Sequence, residues 1–145
     1  MDIRPLTDTY AVSPQIAPGD AAAIAEAGYK VVICNRPDGE GTPDVAMAAV
    51  QAAVEGAGMR FVANPFTGPT LSMDHVSTQA AALDAAEGPV LAYCASGNRC
   101  SVVWALAMAG RMPVDDLIGT PARHGYKLEG LRPQLEALAA QRKAG

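Results

Sequence analysis

Short runs of apolar residues alternate along the chain with longer segments in which apolar and polar residues mix. The runs VVIC, within Lys30–Asn35, and VLAY, within Pro89–Tyr93, hold no charged residue and are typical of strands buried on both faces. Two further strands are predicted at Thr9–Val12 and Met59–Ala63. Helices are predicted at Pro18–Gly28, Pro43–Gly58, Ser72–Glu87 and Ser101–Ala109, then after Pro113 and again near Pro133.

This alternation of strands and helices predicts an α/β fold, with a mainly parallel central sheet and helices on both of its faces. No repeat, low-complexity linker or shift in composition divides the sequence, so we expect a single domain over residues 1–145. In a parallel sheet the functional crevice lies at the carboxyl ends of the strands. The residues directly after the two apolar runs are therefore the first candidates for chemistry.

The composition excludes several classes of protein. With 145 residues, of which 50% are apolar, the chain is long enough to bury a core without a metal or disulfide staple. Three cysteines are too few for a disulfide framework, and a net charge of −4 with a pI near 5.0 argues against nucleic acid as a partner. No apolar run is long enough to span a membrane and no secretory signal is visible, so we expect a cytoplasmic protein that does not bind membranes.

The sequence predicts neither a metal site nor a cofactor. It contains no C-x-x-C pair, and His75 and His124 lie in unrelated segments, which argues against zinc. Walker-type and dinucleotide-binding glycine motifs are also absent from the sequence.

The segment Cys94–Arg99 follows the second apolar run and carries the strongest chemical signal. A turn from a strand into a helix can aim consecutive backbone N–H groups into one concave nest, to which the helix N-terminus adds its positive dipole. A thiol in such a nest is shifted toward the thiolate, and Gly97 permits backbone conformations that other residues avoid. Arg99 offers a planar guanidinium that can hold two oxygens of a tetrahedral anion. We therefore predict that Cys94 is a nucleophile in an oxyanion-binding loop.

Three motifs resemble one family, in the same order along the chain. The run VLAYCASGNRCSVVWALAMAG is similar to the active-site strand, loop and helix of the phosphatase-like domain of beta-lactamase hydrolase-like proteins. VSPQI (Val12–Ile16) and VVICNRPDGE (Val31–Glu40) resemble its two N-terminal motifs, and the resemblance covers roughly residues 5–112. It implies a fold similar to that of the dual-specificity tyrosine phosphatases, with Cys94 as nucleophile and Arg99 as anion-binding residue. The resemblance also implies an anion cradle made by the N–H groups of Ala95, Ser96, Gly97, Asn98 and Arg99.

The loop departs from the tyrosine-phosphatase pattern at four points. Four residues rather than five separate Cys94 from Arg99, and Tyr93 stands where those enzymes have a His. Cys100 stands where they have a Ser or Thr, whose hydroxyl can stabilise the thiolate. The loop NPFTGPTLS, at the place of their general-acid Asp, has no acidic residue before Asp74, which we expect in the first turn of a helix.

Three residues at the end of the VVIC run lie at the same predicted sheet edge. Asp38 is either a substitute general acid or an ordinary turn residue. Arg36 either braces the turn or adds a second guanidinium to the anion site. If the resemblance holds, Cys34 lies beside the nucleophile strand, as either a buried apolar residue or a reversible disulfide partner of Cys94.

These observations favour a thiol enzyme similar to the rhodanese-type sulfurtransferases. The short loop narrows the nest, which suits a persulfide sulfur better than a phosphoryl group, and sulfur transfer needs no strong acid. Cys94 would take sulfur from thiosulfate or a persulfide, carry it as a persulfide, and pass it to cyanide or to a small or protein-borne thiol. The alternative is hydrolysis of a phosphate monoester, such as a phosphorylated protein, through a cysteinyl-phosphate. A third hypothesis is an anion- or peptide-binding module with little catalytic activity.

Overall fold

The central sheet has five strands: β1 (Arg4–Pro5), β2 (Tyr10–Ser13), β3 (Val31–Cys34), β4 (Arg60–Ala63) and β5 (Val90–Tyr93). The computed structural model describes residues 1–144, so residue 145 of the predicted domain lies outside the described residues. The strands lie in the order β1-β2-β5-β3-β4. β1 pairs antiparallel with β2, and the other three pairings are parallel. The predicted α/β fold with a mainly parallel sheet is confirmed.

Helices cover both faces of this sheet: α1 (Ala21–Glu26), α2 (Met47–Gly56), α3 (Met73–Ala85), α4 (Asn98–Met108), α5 (Val114–Ala122) and α6 (Arg132–Ala144). Ile24 of α1 and Val50 of α2 pack with Val32 on one face. α3 to α6 pack on the other face, where Trp104 and Leu117 are fully buried. No helix within residues 1–144 is both long enough and apolar enough to cross a membrane.

Successive residues of the two central strands point to opposite faces of the sheet. Val31 and Ile33 of β3 pack in the core beneath α3 to α6, whereas Val32 and Cys34 pack in the core beneath α1 and α2. β5 follows the same rule. Its residue Tyr93 pairs in register with Cys34 of β3, and both side chains pack in the core beneath α1 and α2. This alternation determines which face of the sheet each cysteine occupies.

Two elements depart from their predictions. β1 was not predicted, because two residues that include Pro5 carry no strand pattern, and the strand exists only by pairing at the edge of the sheet. α4 begins at Asn98 rather than at Ser101, since Gly97 adopts a left-handed conformation (φ +94°) that turns the chain directly into the helix. α6, in contrast, begins at Arg132, which agrees with the predicted start near Pro133, and Pro133 lies in its first turn, where proline is tolerated.

A fully buried group of polar side chains lies where β3 and β4 end. The Nε2 of Gln79 donates to the hydroxyl of Tyr10 at 3.1 Å and to the Oδ1 of Asn35 at 3.3 Å. Its Oε1 accepts from the side-chain amides of Asn35 and Asn64 at 3.0 and 2.8 Å. The Tyr10 hydroxyl in turn donates to the backbone carbonyl of Cys100 at 2.8 Å. This network therefore ties the residues that follow β3 and β4, and the first residue of β2, to the first turn of α4.

Replacing Gln79 by Ala leaves several buried polar groups without a partner. We expect Gln79→Ala to lower the free energy of unfolding by about 2–4 kcal/mol, because buried donors and acceptors then lose hydrogen bonds that water cannot replace. Urea denaturation followed by circular dichroism measures the change. The matched control is Gln141→Ala, an exposed glutamine of α6, which should change the stability by less than about 0.5 kcal/mol. Equal effects of the two substitutions would contradict the role of the network.

Candidate active site

The two segments that the sequence marks for chemistry meet at one edge of the sheet. β5 lies beside β3, and both strands run in the same direction, so the residues that follow them emerge together. Cys94 follows β5 directly, and residues 95–97 connect it to α4. Arg36 follows β3 by two residues. The sheet thus brings the predicted nucleophile, the predicted anion-binding Arg99 and the candidate Arg36 to the same place.

The sulfur of Cys94 lies in the turn from β5 into α4, and the thiol is buried. The backbone N–H of Gly97 donates to its Sγ at 3.1 Å. The hydrogen bond from the Cys100 thiol, and after it the backbone N–H groups of Cys100, Ser96 and Gly97, lower the pKa of Cys94 to about 5, against the opposing effect of burial. Cys94 is therefore a thiolate at neutral pH.

Cys100 takes the place of the hydroxyl residue that tyrosine phosphatases carry after the arginine. It is fully buried in the same core as Cys94, and burial raises its pKa well above the ordinary value of a thiol. A thiol that keeps its proton can donate it in a hydrogen bond to a neighbouring thiolate. The residue that appears in the sequence as a departure from the pattern thus acts as a thiol donor.

Cys34 lies on the opposite face of the sheet from Cys94. It packs with Val32 and Tyr93 beneath α1 and α2, whereas Cys94 packs beneath α3 to α6. Side chains that point to opposite faces cannot form a disulfide without movement of the backbone. Burial also raises the pKa of Cys34, whose Sγ donates to the carbonyl of Arg36 at 3.2 Å. Of the two alternatives for Cys34, this arrangement favours a buried apolar residue over a disulfide partner of Cys94.

The guanidinium of Arg99 is held by two groups at the mouth of the site. Its Nη1 donates to the carbonyl of Phe66 at 3.0 Å and to the Oε2 of Glu40 at 2.8 Å, and its Nη2 donates to the Oε1 of Glu40 at 2.6 Å. Arg36 donates through Nε to the same carboxylate at 3.3 Å and through Nη2 to the Glu40 carbonyl at 2.8 Å. One carboxylate thus bridges both arginines, in the fork geometry that an oxyanion would adopt.

Glu40 is the site residue that sequence reasoning missed. It ends the motif VVICNRPDGE, and the only signal for it is an acidic side chain at the same sheet edge as two arginines. The hydrogen bond with Arg99 lowers the pKa of Glu40, so the carboxylate is ionised at neutral pH and is not a proton donor. It occupies the nitrogens with which Arg99 would bind a substrate anion.

The remaining predicted site residues have different positions. Ala95, Ser96 and Asn98 are exposed at the loop, where the N–H of Asn98 is engaged by the Ser96 Oγ at 3.2 Å. Asp38 accepts through Oδ1 from the backbone N–H of Met47 at 2.8 Å, so its carboxylate caps the start of α2 rather than facing the thiolate. Within residues 1–144 no cluster of His, Cys, Asp or Glu side chains is arranged to hold a metal ion.

Comparison with known proteins assigns the family. The model of the phosphatase-like domain of beta-lactamase hydrolase-like proteins matches residues 2–111. The beta-lactamase hydrolase-like protein of Xylella fastidiosa (strain 9a5c) is 31% identical over 143 residues, which cover 97% of this chain and 33% of the relative. The chain belongs to this family. It spans about a third of the length of the curated relatives that it matches.

Solved structures agree with this assignment. The crystal structure of a candidate phosphatase from Neisseria meningitidis Z2491 is 37% identical, covers 95% of this chain and 99% of its own, and superimposes with a TM-score of 0.81. Tk-PTP in its active form superimposes with a TM-score of 0.75 over 97% of each chain, at 15% identity. The second likeness shows the fold alone. Together they confirm the phosphatase-like architecture that the three motifs implied.

The ionised Cys94 gives a direct prediction for its reactivity. We expect the rate of alkylation by iodoacetamide to reach half its maximum near pH 5, whereas an ordinary thiol does so at about 8.5. Mass spectrometry of peptides after native alkylation assigns the modified residue. Cys34 and Cys100 should react far more slowly, because burial raises the pKa of both thiols.

A matched pair of variants tests the part that Cys100 plays in this shift. Cys100→Ala removes the donor and should move the alkylation midpoint of Cys94 upward, whereas Cys100→Ser keeps a donor and should move it less. A midpoint near 8.5 in the unmodified protein, or identical midpoints in the two variants, would refute the account of the thiolate.

Because Glu40 occupies the guanidinium nitrogens of Arg99, removing the charge of Glu40 should change the affinity of the site for anions. Glu40→Gln should tighten the binding of inorganic phosphate by about two- to fivefold, the range expected for a partly exposed ion pair. Isothermal titration calorimetry measures the dissociation constant. Glu55→Gln, an exposed substitution on α2, serves as the control and should leave binding unchanged. Weaker phosphate binding by the Glu40 variant would show instead that the carboxylate is needed to orient Arg99.

Proposed function

We propose that the chain is a cysteine-dependent phosphatase that hydrolyses phosphate monoesters through a cysteinyl-phosphate. The observation that carries this proposal is a buried Cys94 with a pKa of about 5 in a loop that ends at Arg99. The phosphatase-like family and the similar protein from Neisseria meningitidis support this function better than sulfur transfer, the hypothesis that the sequence favoured. The order of the two hypotheses is therefore reversed.

The proposed reaction has two steps at one sulfur. The Cys94 thiolate attacks phosphorus, the bond to the ester oxygen breaks, and the leaving alkoxide or aryl oxide takes a proton from solvent. Water then attacks the cysteinyl-phosphate, the sulfur–phosphorus bond breaks, and inorganic phosphate and the thiolate are released. Arg99 holds two phosphoryl oxygens after they displace Glu40, and the N–H groups of the loop stabilise the negative charge.

Neither acidic side chain at this site, Glu40 or Asp38, is placed to donate a proton to the leaving group. Glu40 is held ionised by Arg99, and Asp38 is occupied by the start of α2. A general acid contributes about 10²–10⁴-fold to such reactions. Without one, esters whose leaving group departs as a stable anion, such as aryl phosphates, should react much faster than alkyl phosphates. We therefore propose aryl phosphate monoesters, phosphotyrosine in a protein among them, as the substrate class.

Sulfur transfer remains a second candidate, because the site offers a short loop and neither Glu40 nor Asp38 is placed to protonate a leaving group. Four residues between Cys94 and Arg99 and the shortage of a proton donor both suit a reaction that needs no acid. The thiolate would attack the outer sulfur of thiosulfate, releasing sulfite and leaving a Cys94 persulfide. Cyanide or another thiol would then take that sulfur and return the thiolate. Either reaction fits a cytoplasmic protein, where thiols stay reduced.

Paired assays distinguish these functions. We expect the purified protein to release p-nitrophenol from p-nitrophenyl phosphate, and Cys94→Ser to lower kcat/KM by about 10³-fold or more. Cys34→Ser is the matched control, since this thiol lies on the other face of the sheet, and it should retain most of the activity.

The same preparations are then given thiosulfate and cyanide. Thiocyanate that depends on Cys94, with negligible phosphate ester hydrolysis, would overturn the phosphatase proposal and establish the second candidate. If neither product forms but phosphate raises the Tm, the chain is the anion-binding module considered from the sequence.

A further inference from the structure

One peptide unit of the loop has both of its polar groups engaged, on opposite sides. The carbonyl of Ser96 accepts a hydrogen bond from the hydroxyl of Tyr126 at 2.7 Å, and the N–H of Gly97 donates to the Cys94 sulfur at 3.1 Å. In a trans peptide these two groups belong to one rigid plane and point in opposite directions. A contact that holds the carbonyl outward therefore holds the N–H inward, against the sulfur.

The Tyr126 hydroxyl donates its proton to the carbonyl of Ser96. Arg4 donates from Nη1 to the Tyr126 oxygen at 2.6 Å, and a guanidinium can only donate. The hydroxyl has one proton, which must then go to the carbonyl of Ser96. Arg4 also lies 5.5 Å from the centre of the Tyr126 ring and pairs with Asp2. The direction of the hydrogen bond is thus set by a neighbour on β1.

The shape of the loop also fits this tyrosine closely. Gly97 has φ +94°, and a Cβ built on it would overlap the Tyr126 hydroxyl. Tyr126 is buried, with 6% of its surface exposed, in the segment between α5 and α6. It lies beyond residues 2–111, which match the family model. A residue far along the chain therefore packs directly on the backbone of the nucleophile loop.

We propose that Tyr126 is a positioning residue, which sets the orientation of the Ser96–Gly97 peptide against the Cys94 sulfur without touching the substrate. Arg4 supports it by directing the proton of the hydroxyl. The proposal goes beyond the proposed function and uses it only in taking Cys94 as the nucleophile. It also concerns the free protein, before any substrate binds.

The test measures the ionisation of Cys94 in Tyr126→Phe. Thiolate absorbance in the ultraviolet is titrated against pH, with Cys94→Ser as the blank, because the other two thiols titrate at higher pH. We expect the pKa of Cys94 to rise by about half a unit to one unit, since the N–H of Gly97 is no longer held toward the sulfur. Tyr29→Phe is the matched control: it removes the hydroxyl of a tyrosine that packs against the core of the opposite face and should leave the pKa unchanged.

Circular dichroism and the Tm establish that each variant is folded. An unchanged pKa of Cys94 in folded Tyr126→Phe overturns the proposal, as does an equal rise in Tyr29→Phe. If Tyr126→Phe does not fold, Arg4→Gln decides: a smaller upward shift supports the proposal and no shift refutes it. The titration needs no substrate, so its outcome is independent of whether the enzyme transfers phosphate or sulfur.

Discussion

A buried thiolate is the constraint on which the rest of this structure depends. Burial of a negative charge costs free energy unless hydrogen-bond donors surround it, and here they come from the turn between β5 and α4 and from the Cys100 thiol. The turn has to be short, has to contain Gly97 in a left-handed conformation, and has to end in a helix N-terminus. The central position of β5 in the sheet holds this turn in place on both sides.

Glu40 partly compensates the positive charges of the site before any ligand binds. Arg99 and Arg36 supply two positive charges, and Glu40 bridges them with a carboxylate in the geometry of a bound oxyanion. The net charge of −4 therefore says nothing about the site, because the local field comes from two guanidinium groups and a helix end. An anion that binds Arg99 would have to displace Glu40, which would link the anion affinity to the position of the segment that holds Glu40.

Local patterns in the sequence predicted four of the five strands, the mainly parallel sheet, and the meeting of the segments that follow β3 and β5 at one edge. Each of those inferences needs only a run of neighbouring residues and the rule that parallel strands end together. Contacts between distant segments had no such signal: Tyr126 reaches Ser96 across 30 positions, and Arg99 reaches Glu40 across 59. The face that Cys34 occupies depends on the register of β3 against β5, which the sequence does not specify.

We propose that one loop both keeps Cys94 ionised and binds an oxyanion beside it. The most direct measurement is the pKa of the Cys94 thiol, followed by thiolate absorbance, with and without saturating inorganic phosphate. We expect a pKa near 5 in the free protein and a rise of about one unit or more with phosphate, because a second negative charge then lies next to the thiolate. A pKa that is the same with and without bound phosphate would contradict it, since the anion would then bind elsewhere.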